Sequence, residues 1–286
     1  YVTISNDGNP ANAVAKIDGA WTSANTTDVD IAGWTTGVNN YIKIYTTDTA
    51  RHEGKWDDGK YRSETSQYAI EVDESYVNIY GLQFSTNSSW DVGINVISGE
   101  YVTIGSCIFR GDGSDNSSGV NLDSNSTLLN SISYGFSGSG SVGFEGSANT
   151  ETIRIYNCTS YGNDIGFGSA YGDTTYYNVV SFGNVNDFQA DGCDIYTSAS
   201  DDGDGDDPVT PVDWSTVFED YTSYDFHLKS SDTDLRDAGT DPPSDWIPAF
   251  AGMTGWNDID GDIRLTGTWD IGADEFSTTT AIYRSV

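Results

Sequence analysis

Between about residues 66 and 196, apolar and polar positions alternate in short runs that recur along the chain. One recurring unit is a strand and turn of six residues with an aromatic residue in its fifth position. Its copies lie at 80–85, 105–110, 130–135, 157–162 and 178–183, with starts 25, 25, 27 and 21 residues apart. Helical periodicity is absent from this region, so the alternation predicts short β-strands.

Two further units keep step with the first. The copies of the second lie at 69–72, 93–96, 119–122, 143–146 and 166–168, and those of the third at 77–79, 102–104 and 153–155. A period of about 24 residues that holds three short strands is typical of a solenoid, in which each strand pairs in parallel with its counterpart one turn further on. The sequence therefore predicts an all-β fold, a right-handed parallel β-helix.

The same register predicts that equivalent side chains stack along the solenoid. We expect an inward aromatic ladder of Phe84, Phe109, Tyr134, Tyr161 and Phe182. We also expect a ladder of Asn130, Asn157 and Asn178, whose amides hydrogen-bond along the stack.

The ends of the chain differ from the repeating middle, and five regions follow. We expect an N-terminal cap with the first irregular coils at 1–65, and the β-helix coils at 66–200. An acidic loop (201–211), an irregular C-terminal closing segment (212–276) and a Thr-rich tail (277–286) complete the chain. The first residue is Tyr1, so we expect an N-terminus that is processed or trimmed. The Ser/Thr/Asn/Gly-rich, lysine-poor composition suits an extracellular protein and favours a removed secretory signal.

The closing segment carries a recognisable pattern at 225–228, 237–239, 258–264 and 269–276. With residues 54–61 and 81–84, it resembles bacterial secreted right-handed β-helix proteins of the choice-of-anchor type, which have a pectate-lyase-like fold. The resemblance covers most of residues 40–276. It implies an extracellular or cell-surface location and a fold, and it implies no reaction.

The charge narrows the range of partners. The chain has 44 acidic and 12 basic residues, a net charge of −32 and a pI of about 4.1. Such a polyanion gains nothing from phosphate contacts, so we exclude nucleic acid as a partner. No apolar run reaches the roughly 18 residues that span a bilayer, so no membrane insertion is expected.

Two acidic stretches are candidate Ca²⁺ sites, because Ca²⁺ prefers oxygen ligands on a flexible backbone. One consists of Asp201, Asp202, Asp204, Asp206 and Asp207. The other consists of Asp258, Asp260 and Asp262, although Trp269 stands where an EF-hand would place its glutamate. The alternatives are a solvated linker for the first stretch and, for the second, a structural turn in which Arg264 pairs with Asp260 or Asp274.

The sequence supports catalytic residues less strongly than it supports Ca²⁺ sites. Arg110 beside Asp112 and Asp115 is the best constellation for a lyase, which needs a base next to an acidic cluster. A hydrolase would need facing carboxylates, for which Asp123, Glu145, Asp164, Asp173 and Asp187 are available. Trp90, Tyr171 and Tyr176 could stack on sugar rings or simply pack in loops. His52 and His227 are expected at the surface, and Cys107, Cys158 and Cys193 as buried free thiols.

Two functions remain open. The first is a non-catalytic extracellular surface or structural protein, such as an adhesin, sheath or filament subunit. It would assemble with other copies through its termini or contact surface glycans. The second is a polysaccharide lyase or glycoside hydrolase with a groove along the β-helix. The missing base and nucleophile favour the first.

Overall fold

The strands form three parallel sheets that wind around one axis, which confirms the predicted parallel β-helix. The computed structural model describes residues 2–5, 12–64, 66–123, 125–147, 152–169, 174–189, 192–203, 209, 213–241, 243, 257–262, 264 and 269–276. Neighbouring strands within a sheet come from successive turns of the solenoid. The exception is β1, which pairs antiparallel with β2 at the N-terminal end.

The strand bounds follow the predicted repeat. The first sheet contains β1 (Val2–Ser5), β2 (Asn12–Ile17), β4 (Ile42–Thr46), β6 (Val77–Tyr80), β9 (Thr103–Gly105), β12 (Thr127–Leu129), β15 (Ile153–Tyr156), β18 (Thr174–Tyr177) and β21 (Asp194–Tyr196). The second contains β7 (Gln83–Ser85), β10 (Ile108–Arg110), β13 (Ile132–Tyr134), β16 (Thr159–Tyr161), β19 (Val180–Phe182) and β22 (Ala199–Ser200). The third contains β3 (Val29–Ile31), β5 (Tyr68–Val72), β8 (Val92–Val96), β11 (Ser118–Leu122), β14 (Val142–Gly146), β17 (Ile165–Ser169) and β20 (Asn186–Gln189).

The alternating apolar positions stack inside the solenoid. In the first sheet Ile79 pairs in register with Ile104, Ile104 with Leu128, and Leu128 with Ile155. All four are fully buried in the main hydrophobic core. Burial of these stacked side chains is the main force that holds successive coils together.

A left-handed residue joins the first sheet to the second in each coil. Asn130, Asn157 and Asn178 all have φ near +50° there, a conformation that asparagine tolerates better than most residues. Their amides do not hydrogen-bond along the stack as predicted. Instead, Asn178 Nδ2 donates to the Thr240 carbonyl at 2.7 Å, and Asn130 Oδ1 accepts from Arg264 Nε at 3.2 Å. Asn130 and Asn178 therefore bind the closing segment to the solenoid.

The single aromatic ladder predicted from the sequence is wrong, because the register shifts by one residue within the second sheet. Phe109 pairs with Phe84 on one side and with Ser133 on the other. Phe84 and Phe109 therefore lie in the main core, with ring centroids 5.3 Å apart. Tyr134, Tyr161 and Phe182 pair in a neighbouring row that belongs to a second hydrophobic cluster.

This second cluster lies between the second sheet and the closing segment. The segment contains α1 (Trp214–Val217), β23 (Phe218–Asp220), a 3₁₀-helix (Tyr221–Ser223) and β24 (Asp225–Leu228). The Phe182 ring stacks on Trp214 at 4.2 Å and on Phe218 at 5.4 Å. The closing segment thus covers a face of the solenoid that would otherwise expose aromatic side chains.

The other expectations can be placed on this fold. Cys107 and Cys158 are buried free thiols as predicted, and Cys193 is free and half-buried. The tail at 277–286 lies outside the described residues. Within the part of the chain that the structure describes, no helix is long and apolar enough to cross a membrane.

Candidate metal centre

Three parts of the closing segment meet at one end of the second hydrophobic cluster. Strand β24 contributes Asp225 and His227, the turn at 257–262 contributes Asp260, and the stretch at 269–276 contributes Asp274. One ligand atom from each of His227, Asp260 and Asp274 lies within 4.8 Å of the other two. The predicted calcium residue Asp260 therefore has two partners that the sequence analysis had not placed beside it.

Asp225 fixes the orientation of the His227 ring. Nδ1 of His227 lies 2.6 Å from Oδ1 of Asp225, while Nε2 lies 3.9 Å from Oδ2 of Asp260. In a neutral imidazole this hydrogen bond places the proton on Nδ1 and leaves the lone pair of Nε2 toward Asp260. Histidines that bind metals almost always donate their other ring N–H to such an acceptor.

Asp274 is almost completely shielded from water. Its side-chain Oδ2 accepts a hydrogen bond from the Leu228 N–H at 2.7 Å, and the residue is 7% exposed. Burial raises the pKa of Asp274 to about 7, an effect that the His227 charge opposes. Burial thus disfavours the charged form of Asp274, and a positive charge beside it favours that form.

Asp258 has a different role from Asp260. Its Oδ1 accepts hydrogen bonds from the backbone N–H groups of Gly261 and Asp262, and its Oδ2 accepts one from Glu275. Burial, together with a hydrogen bond that the protonated Asp258 donates to Asp260, raises the pKa of Asp258 well above its ordinary value. Asp258 therefore orders the turn that presents Asp260.

Asp260 and His227 each favour the charged form of the other. For Asp260, burial favours the neutral form, but hydrogen bonding to Asp258 and the nearby His227 lower the pKa below its ordinary value. For His227, burial favours the neutral ring, but the carboxylates of Asp274 and Asp225 raise the pKa. Without a cation, an imidazolium can occupy this position and balance the carboxylates.

The loop at 51–55 covers the cluster. Gly54 has φ +71° and lies so close to Nε2 of His227 that a Cβ atom would not fit. Lys55 Nζ pairs with Asp225 at 3.3 Å, and Arg51 Nη2 donates to the Ile259 carbonyl at 3.1 Å. The cluster therefore joins the closing segment to the N-terminal coils.

One imidazole nitrogen and two carboxylate oxygens form a mixed donor set. Ca²⁺ prefers oxygen ligands alone, whereas Zn²⁺ and Mn²⁺ accept imidazole with carboxylate. His227, Asp260 and Asp274 thus fit a transition-metal cation better than the Ca²⁺ expected from the sequence. The remaining predicted ligand of this stretch, Asp262, donates its backbone N–H to Asp258.

Arg264 does not make the ion pair considered as an alternative. Its guanidinium is buried and pairs with Glu275 at 2.8 Å, while it also donates to the carbonyls of Asp270 and Gly272. This pairing holds the 269–276 stretch in place. Because Arg264 pairs with Glu275, the carboxylates of Asp260 and Asp274 can interact with His227.

The structure does not bring Arg110, Asp112 and Asp115 together. The Arg110 guanidinium lies 3.9 Å from the ring centroid of Trp56 and pairs with Glu64, also at 3.9 Å. Asp112 accepts hydrogen bonds from Ser114, and Asp115 accepts one from the Ser139 N–H. Each residue of the proposed lyase constellation therefore stabilises a different turn.

The acidic loop is described only in part. Asp201 accepts hydrogen bonds from Trp214 Nε1 and the Gly183 N–H, and Asp202 accepts one from Asp187. Asp204, Asp206 and Asp207 lie outside the described residues. The calcium site in this loop stays a prediction.

The carboxylates proposed for hydrolysis have separate partners. Glu145 accepts from Ser118, Asp164 accepts from the Gly140 N–H, and Asp187 accepts from Ser181 and Asn184. Asp123 lies on a turn after β11, and Asp173 is outside the described residues. Glu145, Asp164 and Asp187 therefore hydrogen-bond to different partners.

Two predicted surface positions are wrong, and one exposed aromatic is confirmed. His52 is 1% exposed, and its Nε2 lies 2.9 Å from the Ser106 carbonyl. Tyr176 is fully buried inside the solenoid, because it occupies the inward row of the first sheet. Trp90 is 71% exposed, and Tyr171 lies outside the described residues.

The sequence contained one signal for the cluster. The closing pattern at 225–228, 258–264 and 269–276 was singled out as a motif, but its members are far apart in the chain. Only the fold shows that they share one position. The sequence therefore identifies His227 and Asp274 as residues of a motif, but it does not indicate that they are ligands of one metal site.

Comparison with known proteins agrees with the fold. No protein-family model matches the chain, and no curated protein matches it. Among solved structures, the crystal structure of pectate lyase Pel9A is similar with a TM-score of 0.53 and 12% identity, covering 93% of this chain and 88% of that one. At this identity the likeness establishes the parallel β-helix fold and nothing about activity. The chain is thus a parallel β-helix protein with a pectate-lyase-like fold.

Proposed function

We propose that this protein is a non-catalytic extracellular β-helix module whose closing segment is held on the solenoid by a divalent transition-metal cation. The observation that carries the proposal is the meeting of His227, Asp260 and Asp274 beneath the loop that contains Gly54. The cation would connect three stretches of the closing segment directly. Through Lys55 and Arg51, these stretches also contact the N-terminal coils.

The enclosure of the cluster favours a structural cation. Structural metal sites are closed by protein, whereas catalytic sites keep a coordination position open to substrate. Asp274 is buried, Gly54 lies against the His227 ring, and the side chains of His227 and Asp260 are 29% and 28% exposed. The buried Asp274 and the close contact of Gly54 therefore leave the cluster only partly open to solvent.

The basic residues near the solenoid surface favour the same function. A lyase needs a free base beside the substrate. Arg110 is stacked on Trp56, Arg62 pairs with Glu64 at 3.1 Å, and Lys60 donates to the Asp48 carbonyl. These side chains stabilise turns instead of facing an open groove.

An extracellular or cell-surface location is part of the proposal. A net charge of −32 keeps a long solenoid soluble and discourages sideways association. The pectate-lyase-like fold agrees with such a location. A polysaccharide lyase or glycoside hydrolase is the competing function, because that fold also occurs in a pectate lyase.

The test combines stability and turnover. We expect ZnCl₂ or MnCl₂ to raise the melting temperature of EDTA-treated protein, and CaCl₂ to raise it less, because only the first two match the mixed donor set. We expect no release of reducing ends or unsaturated products from polygalacturonate or xylan under any of these conditions.

Two variants make the test specific. Asp260→Asn should abolish the metal-dependent rise in melting temperature, whereas Asp112→Asn, an exposed turn residue, should preserve it. If the wild type degrades either polysaccharide and Asp260→Asn does not, the result contradicts the non-catalytic function. An equal response of both variants to ZnCl₂ would contradict the metal centre.

A further inference from the structure

Two tyrosines stack on the outer corner between the third and first sheets. Tyr76 and Tyr101 immediately precede Val77 and Val102, which occupy equivalent positions because Asn78 pairs with Thr103. Their ring centroids are 5.0 Å apart and the planes are inclined by 22°. This arrangement is an offset stack along the solenoid axis.

Both tyrosines adopt a backbone conformation that their side chains disfavour. Tyr76 has φ +55° and Tyr101 has φ +58°, in the left-handed region where bulky residues are outliers. In the next coil the equivalent position holds Asn125 with φ +55°, a residue type that suits this turn. The turn itself therefore does not require tyrosine. Outliers of this kind cluster at functional sites.

The tyrosine stack is partly open to solvent, and a neighbouring loop hydrogen-bonds close to it. Tyr101 is 42% exposed and Trp34 is 49% exposed. The Trp34 N–H and the Thr36 hydroxyl both hydrogen-bond to the carboxylate of Glu74, two residues before Tyr76. Beyond Tyr101, the stack meets the smaller Asn125 instead of another ring. The Tyr101 ring is therefore the last aromatic ring of this pair and is 42% exposed.

We propose that Tyr101, with Tyr76 behind it, is a binding platform for a neutral polysaccharide. The C–H groups on one face of a pyranose ring carry partial positive charge and stack on the electron-rich face of an aromatic ring. Glu74 and Glu100 border the platform and offer acceptors for sugar hydroxyls. The same carboxylates, on a chain of net charge −32, repel polyanions such as polygalacturonate.

Affinity electrophoresis tests the platform in native gels that contain hydroxyethylcellulose, xylan or galactomannan, with polygalacturonate as the acidic comparison. We expect at least one neutral polysaccharide to retard the protein, and polygalacturonate not to retard it. Tyr101→Asn should weaken this binding about tenfold or more, since it removes the ring and keeps a residue that fits the turn. Tyr101→Phe keeps the ring and should restore binding.

Trp90→Asn is the matched control. Trp90 is also an exposed aromatic with positive φ, at +70°, but it lies on a different corner, between the second and third sheets. This variant should bind like the wild type. No retardation by any neutral polysaccharide, retention of binding in Tyr101→Asn, or equal loss in Trp90→Asn would overturn the proposal. A change of oligomeric state in Tyr101→Asn by light scattering, with unchanged gel retardation, would assign the patch to contacts between copies instead.

Discussion

Nδ1 of His227 and Oδ1 of Asp225 lie 2.6 Å apart on the same strand, two residues from each other. The pair directs Nε2 toward Asp260 and Asp274. Asp225→Asn keeps the size of the side chain and removes its charge, so the imidazole becomes a weaker and less well oriented ligand. We expect the affinity for Zn²⁺ to fall about 10- to 100-fold. Calorimetric titration of wild type and variant checks this, and equal affinities would contradict the role of Asp225.

Gly54 sets the space available to the His227 ring. Gly54→Ala would combine the cost of a left-handed alanine with a clash against Nε2 of His227. We expect a loss of more than about 1 kcal/mol in the free energy of unfolding, together with a loss of the Zn²⁺ response. Chemical denaturation with and without Zn²⁺ measures both effects.

Gly33→Ala is the control for backbone strain alone. Gly33 has φ +80°, but a Cβ atom there would meet nothing within 4 Å. This variant should lose some stability and keep the full Zn²⁺ response. A Gly54→Ala protein that also kept the full response would contradict the close contact with His227.

Because His52 is buried, we expect the free energy of unfolding to depend on pH. Burial, with a further contribution from the charge of Arg51, lowers the pKa of His52 to about 3, while its Nδ1 accepts from the Gly54 N–H. The unfolded chain binds this proton near pH 6.5, so the contribution of His52 is complete above that pH and is lost as the pH falls toward 3. The slope approaches about 1.4 kcal/mol per pH unit. Denaturation curves at pH 7 and pH 5 measure this difference in the free energy of unfolding, and His52→Asn should make it smaller. The same difference in wild type and variant would show that it does not come from His52.

The second hydrophobic cluster should be essential for closing the solenoid. Phe226 is 2% exposed, and its ring lies 5.7 Å from Phe218 and 5.6 Å from Tyr161. Phe226→Ala leaves a cavity between the second sheet and β24, so we expect a loss of about 3–5 kcal/mol in the free energy of unfolding. Val185→Ala, at a position that is 73% exposed, should change stability little. A Phe226→Ala loss below about 1 kcal/mol would show that the closing segment is not packed as described.

The repeat predicted the fold because alternation and spacing are local properties of the sequence. Strands such as Val77–Tyr80 and Thr103–Gly105 fell within the units found from periodicity. The predicted aromatic ladder is wrong because Phe109 lies opposite Ser133 instead of Tyr134. The equal spacings of 25 residues between the first three units did not indicate this shift. A change of one residue moves a side chain to the other face of a sheet.

The candidate site was less accessible to sequence reasoning. Asp260 was identified from the spacing of its own acidic run, which is a local signal. His227 and Asp274 reach it only through the packing of β24 and the 269–276 stretch on the second sheet. The surface prediction for His52 rests on the lack of a Ser or Cys nucleophile at a recognisable spacing. Its burial beside the Ser106 carbonyl depends on non-local packing.

The most direct measurement of the central claim is calorimetric titration of the EDTA-treated protein with ZnCl₂, repeated for His227→Ala and for Asp112→Asn. We expect one bound equivalent for the wild type and for Asp112→Asn, and none for His227→Ala. Binding of zinc that survives in His227→Ala, or no binding by the wild type, would contradict the metal centre at His227, Asp260 and Asp274.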